Sequence, residues 1–415
     1  MRITLCFIIF INLCISLFGQ VHFTRLNNED GLSHSEVKAI LQDSYGYMWI
    51  GTRNKLNRYD GCEFKVLDCY DPVANRRNNN IAALCEDANR LLWIGTDDGV
   101  FVYDPALETF TYLERWLNPD QSADFLYNWV SNIVADKEGN MWVVLPSRGI
   151  LKVNIQTKAY RLYSISEDTV FGKGGPLSLT VDEQGTIWAG CIEQGICRYD
   201  RKKDEFVRVL KETGMFQGKG VYTMLSYKEF LLIALHEGGL LKYKMDTKTL
   251  SLHDFPEVDK VMLRCLMMSK EEELWVGTNN GIYIYNVLTG SCTNVKNDSF
   301  DSHSLSNNTV TTMYTDREKG IWVGTLYGGL NYQSRSAENF TVYIPNDHPQ
   351  SVQSQWIHGL YWDEETQKLW VGTEDEGCSV FDKNMSVFTP VNTHPTVTVT
   401  CIRKIDGNIW IGYFK

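Results

Sequence analysis

Asp43-Ser44-Tyr45-Gly46-Tyr47-Met48-Trp49-Ile50-Gly51-Thr52 returns along the chain in altered form, and its end recurs nearly unchanged as Trp93-Ile94-Gly95-Thr96 and Trp275-Val276-Gly277-Thr278. Aligned on the tryptophan, nine copies are anchored at Trp49, Trp93, Trp142, Trp188, Leu232, Trp275, Trp322, Trp370 and Trp410, with separations of 44, 49, 46, 44, 43, 47, 48 and 40 residues. A period of this length sets the architecture before any single residue is weighed.

Around the first anchor the copy opens with Gly31-Leu32-Ser33, passes Val37 and Ile40, turns at Gly46 and continues through Leu56-Asn57-Arg58-Tyr59-Asp60. The second copy has Gly99-Val100-Phe101-Val102-Tyr103-Asp104 in that last place, and the sixth has Gly281-Ile282-Tyr283-Ile284-Tyr285. Each copy holds four short apolar or alternating runs, closed by Phe64, Phe110, Tyr160, Phe206, Leu250, Cys292, Phe340 or Phe388. Such runs, separated by turn residues, are strands rather than helices. Coils of a β-helix are about half this length or shorter, whereas propeller blades run to roughly 40–50 residues. The period therefore predicts an all-β ring of four-stranded antiparallel blades. The run before the Asp/Gly turn becomes the inner strand a, the Trp run strand b, the Gly-led run strand c and the Phe/Tyr run the outer strand d. The small Gly after the Trp lets neighbouring blades approach, and the Trp fills the wedge between them.

The 415-residue chain is 43% hydrophobic with 10 Pro, enough apolar material for a large core. Eight of its twelve Trp are anchors. Each buried indole removes about 150–250 Å² from water, worth roughly 4–6 kcal/mol as an upper bound. Their repetition reads as structural and carries no ligand chemistry.

Residues 1–20 differ from the repeats. Arg2, the apolar run from Leu5 to Phe18 and the small Gly19 read as an export signal cleaved near Gly19, with an uncleaved anchor as the alternative. No second stretch of about eighteen apolar residues follows. Beyond that segment the cysteines are Cys62, Cys69, Cys85, Cys191, Cys197, Cys265, Cys292, Cys378 and Cys401, an odd number with no metal-ligand spacing, so neither metal nor cofactor is implied. Cys191 and Cys197 flank a b–c turn, where a disulfide is one of two open readings. With 40 Lys and Arg against 51 Asp and Glu, the net charge of −11 argues against nucleic acid and disfavours strongly anionic polysaccharides.

The export signal, Gly31-Leu32-Ser33, Asp43-x-x-Gly46-x-x-Trp49-Ile50-Gly51-Thr52 and Leu56-x-Arg58-Tyr59-Asp60-Gly61 together closely resemble the two-component regulator propeller repeat. The resemblance covers nearly all of residues 21–415 and implies the periplasmic sensor part of a Bacteroidetes hybrid two-component system. In that family two seven-bladed propellers, an immunoglobulin-like domain and a membrane span precede a histidine kinase and a response regulator. Against that plan, a sequence ending at Lys415 within a ninth copy looks truncated, and it holds no kinase His box, ATP-lid pattern or receiver Asp pocket. The resemblance implies an exported, membrane-anchored sensor of a carbohydrate-derived ligand, with a kinase in cis and a homodimer left open.

Counting copies places a seven-bladed ring at residues 21–335 and the first blades of a second at 336–415. The seventh copy breaks the refrain at Asn331-Tyr332-Gln333-Ser334-Arg335-Ser336. Phe23-Thr24-Arg25-Leu26 reads as an outer strand that completes blade seven, with Phe340-Thr341-Val342-Tyr343 doing the same for the next ring. A single eight-bladed ring is the alternative.

Up-and-down alternation puts the b–c turns and d–a connections on one face. The turns vary between copies: Arg53-Asn54-Lys55, Asp97-Asp98, Ser147-Arg148, Glu193-Gln194, His236-Glu237, Asn279-Asn280 and Leu326-Tyr327. The ligand-binding candidates are accordingly Arg53, Asn54, Asp97, Asp98, Arg148, Glu193, Gln194, His236, Asn279 and Tyr327, with Trp129 or Trp116 on nearby connections. Polar groups beside an aromatic face suit a sugar-like ligand. The competing reading of each is an ordinary solvated turn residue. Two rival functions stay open, a propeller glycosidase or lyase and a protein-binding scaffold. Asp182-Glu183-Gln184-Gly185-Thr186-Ile187-Trp188 resembles a sialidase Asp box, but its Asp–Gly spacing is one residue too long and no Arg trio accompanies it.

Overall fold

The computed structural model describes residues 21–117, 128–166, 169–209, 216, 219–236, 239–252, 261–270, 272–335, 343, 345, 351–382, 387–391 and 397–414. The proposed export signal and Phe340-Thr341-Val342 lie outside the described residues. The chain divides into two compact units, His22–Arg335 and Ser336–Lys415.

The first unit holds seven four-stranded antiparallel sheets, each with its strands in the order a-b-c-d. The first sheet is typical: Val37–Gln42, Met48–Thr52, Leu56–Tyr59 and Phe64–Leu67 pair in sequence order. The seventh combines Val310–Thr315, Ile321–Thr325 and Leu330–Gln333 with Thr24–Leu26, whose register sets Thr24 opposite Tyr332 and Leu26 opposite Leu330. Adjacent inner strands neighbour one another in cyclic order, and Val310–Thr315 lies beside Val37–Gln42, so the ring is a closed all-β propeller. Outer-strand residues from one terminus thus cover an edge that would otherwise be open for pairing.

Two devices repeated in the sequence hold adjacent sheets together. The first is the glycine two residues after the Trp in most copies. A Cβ built on Gly51 would lie 2.6 Å from Ile81 Cγ2, on Gly95 2.5 Å from Val130 Cγ1, on Gly190 2.5 Å from Val221 Cγ1, and on Gly324 2.6 Å from Val37 Cγ1. Each of these contacts is with an apolar residue at or just before the start of the next inner strand, so absence of a side chain is what permits the approach. The second device is the indole. Trp49, Trp142, Trp188 and Trp322 each meet the edge of a strand-c tyrosine of the following sheet, Tyr103, Tyr199, Tyr243 and Tyr59, at centroid distances of 5.5, 4.7, 5.8 and 6.0 Å. Edge-on pairs of this kind add about 0.5–1.5 kcal/mol to the area they bury.

The indole nitrogen needs an acceptor once buried, and the aspartate six residues upstream supplies it. Trp49, Trp93, Trp142, Trp188 and Trp322 donate to Asp43, Asp87, Asp136, Asp182 and Asp316 at 2.7, 2.9, 2.8, 2.9 and 2.9 Å. The other carboxylate oxygen caps the a–b turn, as where Asp43 accepts from the amides of Tyr45 and Tyr47. In the sixth sheet Trp275 donates instead to Glu273, at 2.7 Å.

The second unit contains one four-stranded sheet, Ile357–Asp363, Lys368–Thr373, Cys378–Asp382 and Val387–Val391, and a two-stranded sheet, Thr398–Ile405 with Asn408–Phe414. Trp370 is half-buried and its Nε1 lacks an acceptor, while Trp410 is 61% exposed. Trp410 therefore departs from the expected buried anchor, because among the described residues no further sheet lies against its face. The open question at Cys191 and Cys197 is answered in favour of free thiols, with sulfur atoms 3.9 Å apart. The strand register sets Cys197 opposite Ala189 and Cys191 opposite Gly195, so the two cysteines are diagonal rather than facing.

Candidate functional site: the axial cavity

The b–c turns and d–a connections share a face, and they are hydrogen-bonded to one another. Lys55, Gly99, Gly281 and Gly329 donate their backbone N–H to the carbonyls of Asn79, Asn128, Asn308 and Ser35 at 2.7, 2.9, 2.7 and 3.0 Å. The threonine closing each Trp-Ile-Gly-Thr run shapes the turn from within. Thr96, Thr278 and Thr325 hydroxyls donate to the carbonyls of Gly99, Gly281 and Gly329 at 2.9, 2.9 and 3.0 Å. This face is therefore built by backbone and by recurring parts of the repeat, leaving the remaining side chains free to differ.

Inside the ring, a β-bulge interrupts six of the seven inner strands. In the first sheet Val37 pairs with Thr52 and Ala39 with Gly51, which leaves Lys38 with no cross-strand partner. The same slip leaves out Ala82, Leu177, Tyr222, Arg264 and Thr311. The third sheet, where Val144 stands in place of the glycine, keeps a regular register from Asn132, and Ser131 occupies the corresponding place. A bulge re-aims one side chain out of the pleat. Here those side chains converge on the axis: Lys38, Ala82, Ser131, Leu177, Tyr222, Arg264 and Thr311 all line one cavity of about 430 Å³, bounded also by Glu36, Asn132, Trp129 and Leu326.

The charges in this cavity are unevenly compensated. Lys38 Nζ lies 3.5 Å from Glu36 and donates to Asn80 at 2.7 Å, and Arg53 approaches the other Glu36 oxygen at 3.5 Å. Arg264 has no carboxylate partner among the described residues, and its buried Nε has no acceptor. The Ser178 hydroxyl, also in the lining, is likewise unpartnered. Ser131 spends its proton on the carbonyl of Leu177 at 2.7 Å, and Thr311 donates to that of Val37, so both hydroxyl oxygens keep lone pairs available. Burial pushes the Cys265 thiol up to about 12, which keeps it an uncharged wall group. Among the described residues no three His, Cys, Asp or Glu side chains come together as a metal-ligating group.

The residues singled out from the sequence are divided by the structure. Trp129, 46% exposed, belongs to the cavity lining. Three others reach it through a lining or rim residue: Arg53 through Glu36, Asp97 as the acceptor for Asn80, and His236 with its ring 5.9 Å from that of Tyr222. Tyr327, 72% exposed, follows the lining residue Leu326. Asn54 serves its own turn, its N–H donating to Thr52 Oγ1, and Asn279 ties its turn to the connection before the inner strand, its Oδ1 accepting from the Met262 amide. Asp98 pairs with Arg76 at 4.0 Å. Arg148 and Glu193 are exposed and Gln194 half-buried, and none of the three is in the lining. Trp116 is a correction of a different kind, since its ring packs edge-on against Trp93 at 5.2 Å and belongs to the core.

Lys38, Tyr222, Arg264 and Thr311 are the lining groups that turn-based reasoning missed. The signal was one position: the residue directly after the first apolar residue of each inner strand, Val37, Val221, Leu263 or Val310.

Comparison with known proteins agrees with this architecture. The family profile described as the two-component regulator propeller matches residues 31–54, 75–98 and 304–327, which run from the d–a connection through strands a and b to the b–c turn. Over 166 residues the chain is 26% identical to histidine kinase P4 of Formosa agariphila, a match covering 38% of this chain and 12% of that protein. Among solved structures it is similar to the extracellular domain of the hybrid two-component system BT3049 of B. thetaiotaomicron, with TM-score 0.64 and 20% identity over 95% of this chain and 58% of that one. The corresponding domain of system BT4673 gives TM-score 0.64 and 20% identity, covering 95% and 51%. The chain thus spans little more than half of these solved domains and a small part of the kinase. At such identity the solved domains speak for the fold, and residues 31–54, 75–98 and 304–327 match the two-component regulator propeller repeat.

Proposed function

We propose that this chain is the extracytoplasmic ligand-sensing part of a hybrid two-component system, that it binds a carbohydrate-derived molecule at the axial cavity, and that a kinase in cis receives the signal. The observation carrying this reading is the ring of bulge positions. Six bulge residues and Ser131, one from each sheet, line the same cavity, and they differ from sheet to sheet while the glycine and Trp-Asp scaffold recurs. A cavity of this size with hydroxyls, amides and the rings of Trp129 and Tyr222 suits a polyhydroxylated ligand. Export to the periplasm and anchoring of the whole protein in the inner membrane belong to the same proposal; no helix among the described residues is long and apolar enough to cross a membrane. Signalling follows if the ligand favours one placement of the sensor parts over another, since only differential affinity shifts an equilibrium.

A glycosidase is the weaker reading for this cavity. Cleavage of a glycoside by the usual route needs two carboxyl groups, and the lining holds one, Glu36, already between Lys38 and Arg53. Calorimetric titration of the purified chain with a panel of neutral and acidic oligosaccharides, followed by chromatography of the mixtures, tests the proposal. Saturable binding without products is the expected result. Products would assign an enzyme, and neither binding nor products would leave a protein-binding scaffold.

A further inference from the structure

Arg264 is the feature of the cavity that the scaffold does not explain. It stands at a bulge, where the side chain is turned out of the pleat, between the buried Leu263 and the half-buried Cys265. The neighbouring sheets place neutral groups at the equivalent positions, Tyr222 and Thr311. Across the cavity Lys38 is already satisfied by Glu36 and Asn80, and Glu36 is the single carboxylate of the lining. Arg264 is left with a buried Nε–H that has no acceptor, and no acid pairs with it among the described residues. A buried guanidinium donor without an acceptor carries a desolvation cost that a protein of net charge −11 had ample acidic residues to relieve. An Arg presents a planar fork of donors matched to a carboxylate, and the sheets on either side contribute Tyr222 and Thr311 to the same lining.

We infer that Arg264 recognises a carboxylate on the ligand, so that the cavity prefers an acidic sugar over its neutral counterpart. This rests on the axial cavity being the sensing site. The sugar hydroxyls face Tyr222, Thr311, Ser131 and Asn132, and the carboxylate takes the fork of Arg264. Preference for acid resides in one residue, while hydroxyl recognition is spread around the ring. The overall negative charge works against large polyanions, which restricts the class to small, singly charged acids.

The test is calorimetric titration of the whole chain with glucuronate and galacturonate beside glucose and galactose, repeated on Arg264→Gln, Arg264→Lys and, as a control outside the cavity, Arg198→Gln. Thermal melts run in parallel establish that the variants fold. The uronates are expected to bind about 10–100-fold more tightly than the neutral sugars, the range of a charge-assisted hydrogen bond. That preference should vanish in Arg264→Gln, survive in part in Arg264→Lys and persist in Arg198→Gln. Equal binding of acid and neutral sugars, or an acid preference unaffected by Arg264→Gln, would overturn the inference while leaving the sensing cavity in place. Failure of all four sugars to bind would overturn the inference, and failure of the whole oligosaccharide panel would overturn the sensing reading with it.

Discussion

Gly324 and Val37 come from opposite ends of the first unit, yet a Cβ on Gly324 would stand 2.6 Å from Cγ1 of Val37. This contact closes the ring by the same means that joins Gly51 to Ile81 and Gly95 to Val130. Closure therefore needs no special device, only the register that the repeat already provides.

Gly324→Ala should destabilise the ring by about 1–3 kcal/mol, the usual cost of forcing a methyl into a packed core. In the double variant with Val37→Ala the nearest clash is gone while Thr312 Cγ2, 2.8 Å from the new Cβ, stays, so urea denaturation should give a loss somewhat smaller than the sum of the single losses. Strict additivity would mean that the two residues do not share the contact.

Asp87 accepts from the Trp93 indole at 2.9 Å and from the backbone N–H groups of Asn89 and Leu91 at 2.8 and 3.0 Å. Asp87→Ala leaves a buried indole donor unsatisfied, at a cost of about 1–3 kcal/mol, and uncaps the a–b turn as well. Denaturant midpoints and near-UV circular dichroism should both change. Asp87→Asn keeps an acceptor and should lose less.

Much of this was legible in the sequence because the repeat compares the chain with itself. Period, strand order, the glycine approach and the tryptophan wedge all follow from positions that recur. The Trp-Asp bond was less visible: Asp43 stood in the motif, but only a buried indole reveals why it must accept. The axial lining was hidden for a physical reason. A bulge inserts one unpaired residue without changing the apolar pattern on either side, so Lys38 and Arg264 read as ordinary outward-facing strand residues. The turns drew attention through their variability, yet Asn54 serves only its own loop and Asn279 ties its turn to the connection before the inner strand. Trp116, placed beside Trp129 as a possible platform, turned inward because the short helix Leu113–Leu117 carries its ring onto Trp93.

Asp204 makes stability depend on pH at the boundary of the third and fourth sheets. Burial alone would raise its pKa, but hydrogen bonds from Tyr163 and Tyr199 and the charges of Lys152 and Arg161 outweigh that and hold it at about 2. The folded value lies below the ordinary carboxylate value, so the carboxylate contributes stability at neutral pH and loses it as pH falls from about 4 towards 2. The urea midpoint of Asp204→Asn should fall below that of the natural chain at neutral pH, and the gap should close near pH 2. A gap that persists there would point to packing instead.

The cysteines give a chemical check on the register. Cys62, Cys292 and Cys401 are exposed, while Cys69, Cys191, Cys197 and Cys378 are buried. Burial also pushes the half-buried Cys85 up to about 12. A disulfide reagent should modify the exposed three rapidly in the native chain and, after denaturation without reductant, all nine thiols beyond residue 20, Cys265 included. Two thiols missing from the denatured total would mean that Cys191 and Cys197 are joined.

A structure of the chain with the tightest-binding oligosaccharide of the panel tests the central claim most directly. The expected result is ligand density on the ring axis, against Trp129 and Tyr222 and within hydrogen-bond reach of Arg264 or Thr311. Density on an outer wall of the ring, with the axial cavity holding only water, would contradict it.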